Sequence, residues 1–358
     1  MVIGCAENTV SRKILMVGSD EIWSIERIYL KYLQQLGFDA ELFAAQSFFI
    51  NYYRKNLLNK LFFKAGISNI FSSINEQLKK KAAEFKPDII WVFKGMEIYP
   101  ETIDELKKAG NKVANYNPDN PFIFSGSGSG NKNVTNSISR FDLHFTYNNE
   151  IKEKLEMAYQ CRVAYLPFGF ELNTCLYQEC AAQQEMVKLC FVGNPDKERA
   201  LFINNLVDCG IEIDIYGNDW EKFINHSKVS LFKPVYNNEF WKVLRKYRVQ
   251  LNLMRMHNKN SHNMRSFEIP GVGGIMIAPE TPEHRLFFKD NEEAFFFTDL
   301  DDCIRKINYI LHISGEDADK IRTNARNRSV NSGYSYKDRA DIVLKSFKVL
   351  ISNGRSGL

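Results

Sequence analysis

Short apolar runs recur along this chain, and most are followed by a stretch of helical spacing. Residues 13–18 run apolar into a glycine, Ser19-Asp20-Glu21 can cap a helix to about residue 36, and residues 40–44 supply a second strand. The same alternation continues with strands at 88–93, 112–116, 143–147 and 163–167 and a helix over 100–109. It restarts in the second half, with strands at 187–192, 211–217, 232–236, 249–253, 275–279 and 294–298. Helices are predicted there over 197–210, 238–247 and 300–312, with a last amphipathic one from about 336 to 350. Strand–helix alternation of this kind predicts an α/β chain with parallel sheets, whose ligand loops lie at the carboxyl ends of the strands.

Residues 47–86 break the rhythm. Phe48, Phe49, Tyr52, Tyr53, Leu57, Leu58, Leu61, Phe62 and Phe63 fall near helical spacing, interleaved with Arg54, Lys55, Lys60 and Lys64. A core-facing stripe with lysines at its edge is the expected arrangement. Peripheral contact with an anionic membrane through residues 48–64 is the second reading. The run Ser125-Gly126-Ser127-Gly128-Ser129-Gly130 has the composition of a flexible linker, and its position also suits a flap.

The stretch richest in chemistry is residues 263–274, where a short helix stops at a glycine cluster and turns into an apolar strand. Arg265 and Glu268 are three apart and share a helix face. An arginine there can grip a phosphate in bidentate fashion, and a carboxylate one turn on can accept both hydroxyl protons of a ribose. The alternative for such a spacing is a surface Arg–Glu pair. Gly193-Asn194-Pro195 follows a strand and precedes Arg199, so backbone amides and a guanidinium can approach an anion there. His262, just ahead of Arg265, can bind a phosphate or sugar or simply be solvated. In the first half, Asn117-Pro118-Asp119-Asn120-Pro121 freezes a loop at a strand's carboxyl end, and Asp119 is either functional or the centre of an Asx turn. Asp20, with Glu21 behind it, sits on the first such loop.

Several segments together resemble the glycosyltransferases related to spore maturation protein CgeB. The resemblance rests on Arg-x-Phe-Glu-x-Pro-x-x-Gly-Gly at 265–274 followed by Thr281-Pro282-Glu283, on Ile215-Tyr216-Gly217-x-x-Trp220, on Leu166-Pro167-x-Gly169, and on Tyr336-x-x-Arg339-Ala340. It covers most of residues 88–345. It implies the two-domain GT-B architecture: two Rossmann-like βαβ domains facing a central cleft, over 1–166 and 167–333, with a helix in 334–358 returning to the first domain. It also implies a group 1-like donor domain holding a nucleotide sugar through Gly193, Asn194, Arg199, Gly217, Trp220, Pro234, Val235, Asn252, His262, Arg265, Glu268 and Gly273. Pro234 and Val235 fall at the corner expected to meet the nucleobase. Many retaining relatives carry a second Glu eight positions before the ribose Glu, and here that position is Asn260.

The implied reaction moves a sugar from a nucleoside diphosphate sugar, with a UDP-sugar favoured, to a protein, glycan or cell-surface polymer. Arg265 would stabilise the departing diphosphate, and Asp119 and Asp20 are the candidate bases. No Asp-x-Asp motif at a strand end suggests a metal, so metal-independent chemistry with no cofactor beyond the donor substrate is expected. A catalytically inactive nucleotide-sugar-binding protein and a sugar-nucleotide epimerase are the alternatives. A nicotinamide enzyme is disfavoured, because neither half carries Gly-x-Gly-x-x-Gly after its first strand.

Composition trims this picture. Of 358 residues, 44% are hydrophobic and 25% charged, as in ordinary globular proteins, and 47 basic against 43 acidic residues leave only +4, which disfavours a dedicated nucleic-acid partner. Seven cysteines without a Cys-x-x-Cys pair predict reduced thiols, and with no signal-like N-terminus they suggest the cytoplasm.

Overall fold

The computed structural model describes residues 12–124, 128–255 and 258–352. The chain forms two compact units: Met1–Leu166 with Ala340–Leu358, and Pro167–Arg339. The tail therefore rejoins the first unit at Ala340, six residues beyond the expected Tyr334.

The first unit opens with β1 (Lys13–Val17), α1 (Ile25–Gln35) and β2 (Asp39–Phe43), then the helices α2 (Ala45–Lys55), α3 (Leu57–Lys64) and α4 (Ile70–Phe85). It continues with β3 (Ile89–Phe93), α5 (Pro100–Lys108), β4 (Lys112–Tyr116), α6 (Lys132–Ser137), β5 (Leu143–Thr146), α7 (Asn149–Tyr159) and β6 (Val163–Tyr165). Its six strands pair in the order β2-β1-β3-β4-β5-β6, all parallel. All five residues of β3 are buried, as a strand covered on both faces requires. Phe347 of the C-terminal helix packs edge-on against Trp91 and Phe145 of this sheet, with ring centroids 5.5 and 5.6 Å apart. The aromatic stripe of residues 47–86 divides. Phe49, Phe63 and Phe71 pack on one another, whereas α3 buries none of its residues.

The second unit contains α8 (Thr174–Ala181), β7 (Met186–Val192), α9 (Lys197–Asp208), β8 (Ile213–Tyr216), β9 (Val229–Phe232), α10 (Asn237–Lys246) and β10 (Tyr247–Leu251). There follow α11 (Arg265–Gly271), β11 (Met276–Pro279), α12 (Pro282–Phe287), β12 (Phe295–Phe297), α13 (Leu300–His312) and α14 (Gly315–Asn331), and then α15 (Tyr336–Ser352), which belongs to the first unit from Ala340 on. The strand order is β12-β11-β10-β7-β8-β9, again parallel. β9 ends at Phe232, so Pro234 and Val235 lie on the loop into α10 and not in a strand. The entering segment pairs with the exiting one: Phe170 N–H donates to Tyr334 O (3.2 Å) and Tyr336 N–H to Phe170 O (3.0 Å). A Cβ on Gly169 would lie 2.8 Å from Tyr334 O, so only glycine admits this approach.

The six described cysteines are free; Cys190 and Cys303 are fully buried fillers of the second core. Among the described residues no helix is long and apolar enough to cross a membrane. Of the Ser-Gly run, residues 125–127 lie outside the described residues. The remainder is packed rather than linker-like, with Ser129 buried and Gly128 O accepting from Lys94 Nζ at 2.7 Å.

Phe347→Ala should cost about 3–5 kcal/mol of stability, the range for removing a buried aromatic ring. Urea denaturation followed by circular dichroism measures it. A loss under about 1 kcal/mol would mean that the C-terminal helix is not part of the first core.

Candidate functional site

In both sheets the strand order reverses beside the first strand of the unit. In the second, the chain leaves β7 towards β8 and β9, then returns on the other side of β7 through β10. Connections on opposite faces part there and leave a crevice above the carboxyl ends of β7 and β10. Arg265 and Arg199 span those two ends. Arg265 Nε donates to Val192 O at the end of β7 (3.2 Å), and Arg199 donates to Leu253 O just beyond β10 (2.7 Å) and to Asn194 O (3.2 Å). The Arg265 guanidinium also lies 4.3 Å from the Phe240 ring centroid and pairs with the Glu268 carboxylate. Glu268 is only 6% exposed, so the pair is not the surface bridge that the spacing alone allowed.

Arg199 is mostly buried, and its basicity falls to about 10, chiefly by desolvation and then by the neighbouring positive charge of Arg255, with a smaller contribution from Arg265. The guanidinium groups of Arg199 and Arg265 thus meet at one switch point, with Arg255 near enough to act on Arg199 and the Asp196 carboxylate 3.6 Å from Arg199 Nε. Arg255 went unnoticed in the sequence because it follows β10 with no motif around it, and only the sheet order brings it beside residues 56 positions or fewer away in either direction.

The turn after β7 is held from below. Trp220 Nε1 donates to Gly193 O (2.7 Å), Asn218 N–H to Asn194 Oδ1 (3.0 Å), and Gly193 N–H to Tyr216 O (2.9 Å). A Cβ on Gly217 would sit 2.3 Å from Gly193 O, which explains the glycine in Ile-Tyr-Gly. Beside this turn an open hollow of about 580 Å³ lies over the ends of β7, β8 and β9, lined by Asn194, Gly217, Trp220, Phe232, Lys233 and Pro234 among others. Gly193, Asn194, Arg199, Gly217, Trp220, Pro234, Arg265 and Glu268 are therefore brought to the carboxyl side of one sheet, with Val235 next to Pro234.

Three predicted contacts are placed elsewhere. His262 is fully buried and so is not a solvated loop residue. Its Nε2 accepts from Phe168 N–H (3.3 Å), so Nδ1 carries the proton and donates to Glu283 Oε2 (2.6 Å). Asn252 is also buried. It donates to Ser266 Oγ (3.1 Å) and accepts from Asn263 Nδ2 (2.8 Å), which fixes the start of α11. Gly273 adopts φ 71°, and a Cβ there would face Arg322 and Tyr177, so this glycine makes the left-handed turn after α11.

The network ends at His284. Its Nδ1 faces Pro279 O (2.8 Å), an acceptor only, so Nδ1 is protonated and Nε2 receives the Ser266 hydroxyl proton (2.8 Å). Burial holds this ring neutral and lowers its pKa to about 4.

In the first unit the switch point lies between β1 and β3. Asp119 Oδ2 pairs with Lys94 Nζ at 2.6 Å, and Asp119 N–H donates to Asn117 Oδ1 (3.0 Å), so the Asx turn and the ion pair coexist. Lys94 holds φ 57° at the end of β3. Asp20 is exposed; its carboxylate accepts from Ser47 and its carbonyl from Arg27 (3.2 Å). Sequence reasoning missed Glu26 and Glu97, both buried near Lys94, whose pKa values rise through desolvation. Glu26 Oε1 accepts from Ser19 N–H at 3.0 Å. Glu26 reads as an ordinary first-turn helix residue, so no sequence signal marks its burial.

Residues 199–345 match the family model described as glycosyl transferase-like. No curated protein matches the chain. Among solved structures, the fold is similar to a sucrose-phosphate synthase from Thermosynechococcus elongatus (TM-score 0.69, 10% identity, covering 96% of this chain and 100% of the other). It is also similar to a glycosyltransferase from Rickettsia africae (0.64, 13%, 96% and 100%). A third is Anabaena HepE in complex with UDP and glucose (0.59, 11%, 94% and 100%). The fold is of the GT-B type, and part of the second unit resembles a glycosyltransferase domain. The matched segment begins at Arg199 and contains the whole of α11, so Arg199, Arg255, Arg265 and Glu268 lie inside it.

Because neutral His284 takes up its proton only after unfolding, the unfolded chain binds more protons between pH 6.5 and about 4, and stability falls as pH drops through that window. Acidification from pH 6.5 to about 5 should cost about 2 kcal/mol through this residue. His284→Gln should flatten the acid limb of a stability–pH profile; an unchanged slope would show that the ring is not buried neutral.

Proposed function

We propose that this protein transfers a sugar from a nucleoside diphosphate sugar to an acceptor hydroxyl or other nucleophile, without a metal. The observation that carries the reading is the gathering of Arg199, Arg255 and Arg265 with Glu268 at the switch point of the second sheet, beside a hollow of about 580 Å³. Three cations set against the carboxylates of Asp196 and Glu268 leave an excess of positive charge that a further anion would balance. A diphosphate supplies that anion. As it leaves, its growing charge meets cations that are already in place and need little rearrangement.

In this reading the diphosphate exchanges the internal Arg265–Glu268 pair for a phosphate–arginine contact and a ribose–carboxylate contact. The base enters the hollow near Gly217 and Pro234. A UDP-sugar is favoured, in line with the UDP and glucose bound by Anabaena HepE. Asp119 and Asp20 remain the candidate bases; the ion pair with Lys94 gives Asp119 a fixed direction, which favours it. The acceptor class is a protein, glycan or cell-surface polymer, and the finer kinship is with the CgeB-related enzymes, supported by the motif order around 265–274 and 336–340. Asn260, exposed where many retaining relatives carry a Glu, supports an inverting route that needs such a base.

Arg265→Ala and Glu268→Ala should each weaken UDP binding by about 1–3 kcal/mol, as for the loss of a charged hydrogen bond. Calorimetric titration of UDP, GDP, dTDP, CMP, ADP and NAD reads this directly. Unchanged affinity in both variants, or binding of NAD alone, would overturn the proposal. Asp119→Asn should spare UDP binding and depress turnover, and a chelator should leave turnover intact. Tight binding with no transfer or donor hydrolysis would instead make the protein a non-catalytic nucleotide-sugar binder.

A further inference from the structure

We propose that the α2–α3 hairpin of the first unit docks on an anionic phospholipid surface. The inference stands apart from the nucleotide site. Leu57, Leu58, Leu61 and Phe62 recur at helical spacing on one face of α3, and they are 75%, 60%, 60% and 44% exposed. Ile67, just beyond the helix, is 70% exposed. An apolar face of this kind is not left bare on a protein surface without a partner.

The face is held rigid. Phe63, on the opposite side of α3, packs against Phe49 (4.7 Å between centroids), Phe71 (5.4 Å) and Tyr53 (5.8 Å). Asn56 Oδ1 accepts from Asn59 N–H (2.8 Å) and caps the helix, and Asn59 Nδ2 donates to Tyr52 O (2.8 Å), which ties α3 back to α2. The leucines are therefore presented by a fixed scaffold.

Charge identifies the occupant. Lys60 and Lys64 of α3 and Arg54 and Lys55 at the end of α2 supply the charge of the hairpin, with Lys60 Nζ 5.8 Å from the Tyr53 ring, and no Asp or Glu occurs between Glu41 and Glu76. Of the acids on neighbouring elements, Glu76 of α4 pairs with Lys79 (2.7 Å), and Asp20 meets Ser47 at the end of α2 away from Arg54. A leucine face accompanied by one sign of charge fits hydrocarbon beneath negative headgroups. A protein partner would need matching acids around its own apolar patch, which makes it the less economical occupant.

The test is sedimentation of the full chain with vesicles of phosphatidylcholine alone or mixed equally with phosphatidylglycerol. The protein should partition onto the phosphatidylglycerol vesicles, about tenfold more weakly onto phosphatidylcholine, and lose binding at high salt. Leu58→Glu with Leu61→Glu, and separately Lys60→Glu with Lys64→Glu, should each cut partition about tenfold while circular dichroism and UDP binding stay unchanged. Loss of UDP binding in the parent protein with partition retained would sink the donor-site reading and leave this one standing. Absence of partition, equal partition onto both vesicles, or variants that bind like the parent would overturn it. So would leucine-dependent self-association without vesicle binding, which would assign the face to a second copy of the chain.

Discussion

A parallel sheet whose strand order reverses beside its first strand cannot cover both carboxyl ends at that point. The two connections depart on opposite faces, and the exposed strand ends present carbonyl groups that need donors. In the second unit those donors are arginines. Val192 O and Leu253 O, at the ends of β7 and β10, are met by Arg265 and Arg199. One topological constraint thus both creates the crevice and fills its floor with positive charge.

The position of Arg265 depends in turn on a largely buried polar network. Asn252, Asn263, Ser266 and His284 satisfy one another beneath α11, and His284 closes the chain on Pro279 O. Such a network is costly when half made and directional when complete. It holds a helix of only seven residues, interrupted by Pro270, at a defined angle to the sheet. His262 and Glu283 do the same for the preceding loop. These buried groups act on the site through position, while Arg265 and Glu268 keep an edge towards the crevice.

The two units solve the same problem differently. The first places a lysine at the switch point, in a left-handed conformation that non-glycine residues seldom adopt, and surrounds it with Asp119, Glu26 and Glu97. The charge beside the switch point is thus chiefly cationic in the second sheet and mixed in the first. The hairpin of α2 and α3 belongs to the first unit alone and has no counterpart among the described residues of the second.

Strands and their order of appearance were legible in the sequence because a strand buried on both faces needs an unbroken apolar run, as in Ile89–Phe93 and Met276–Pro279. Arg265, Glu268, Gly193 and Gly217 stood out in the sequence for a similar reason: glycine and charge beside a buried strand are costly unless geometry demands them. Local pattern could not show which polar residues face inwards. His262 and Asn252 carry the same letters whether they touch a ligand or a neighbour, and only the packing of α12 and β11 against α11 turned them into supports. Arg255, Glu26 and Glu97 acquired their electrostatic setting from elements distant in sequence. Sequence determined the alternation, the strand ends and the residue types available there. Tertiary structure decided which of those residues share a dielectric and a line of contact, because burial and charge coupling depend on distance in space and not along the chain.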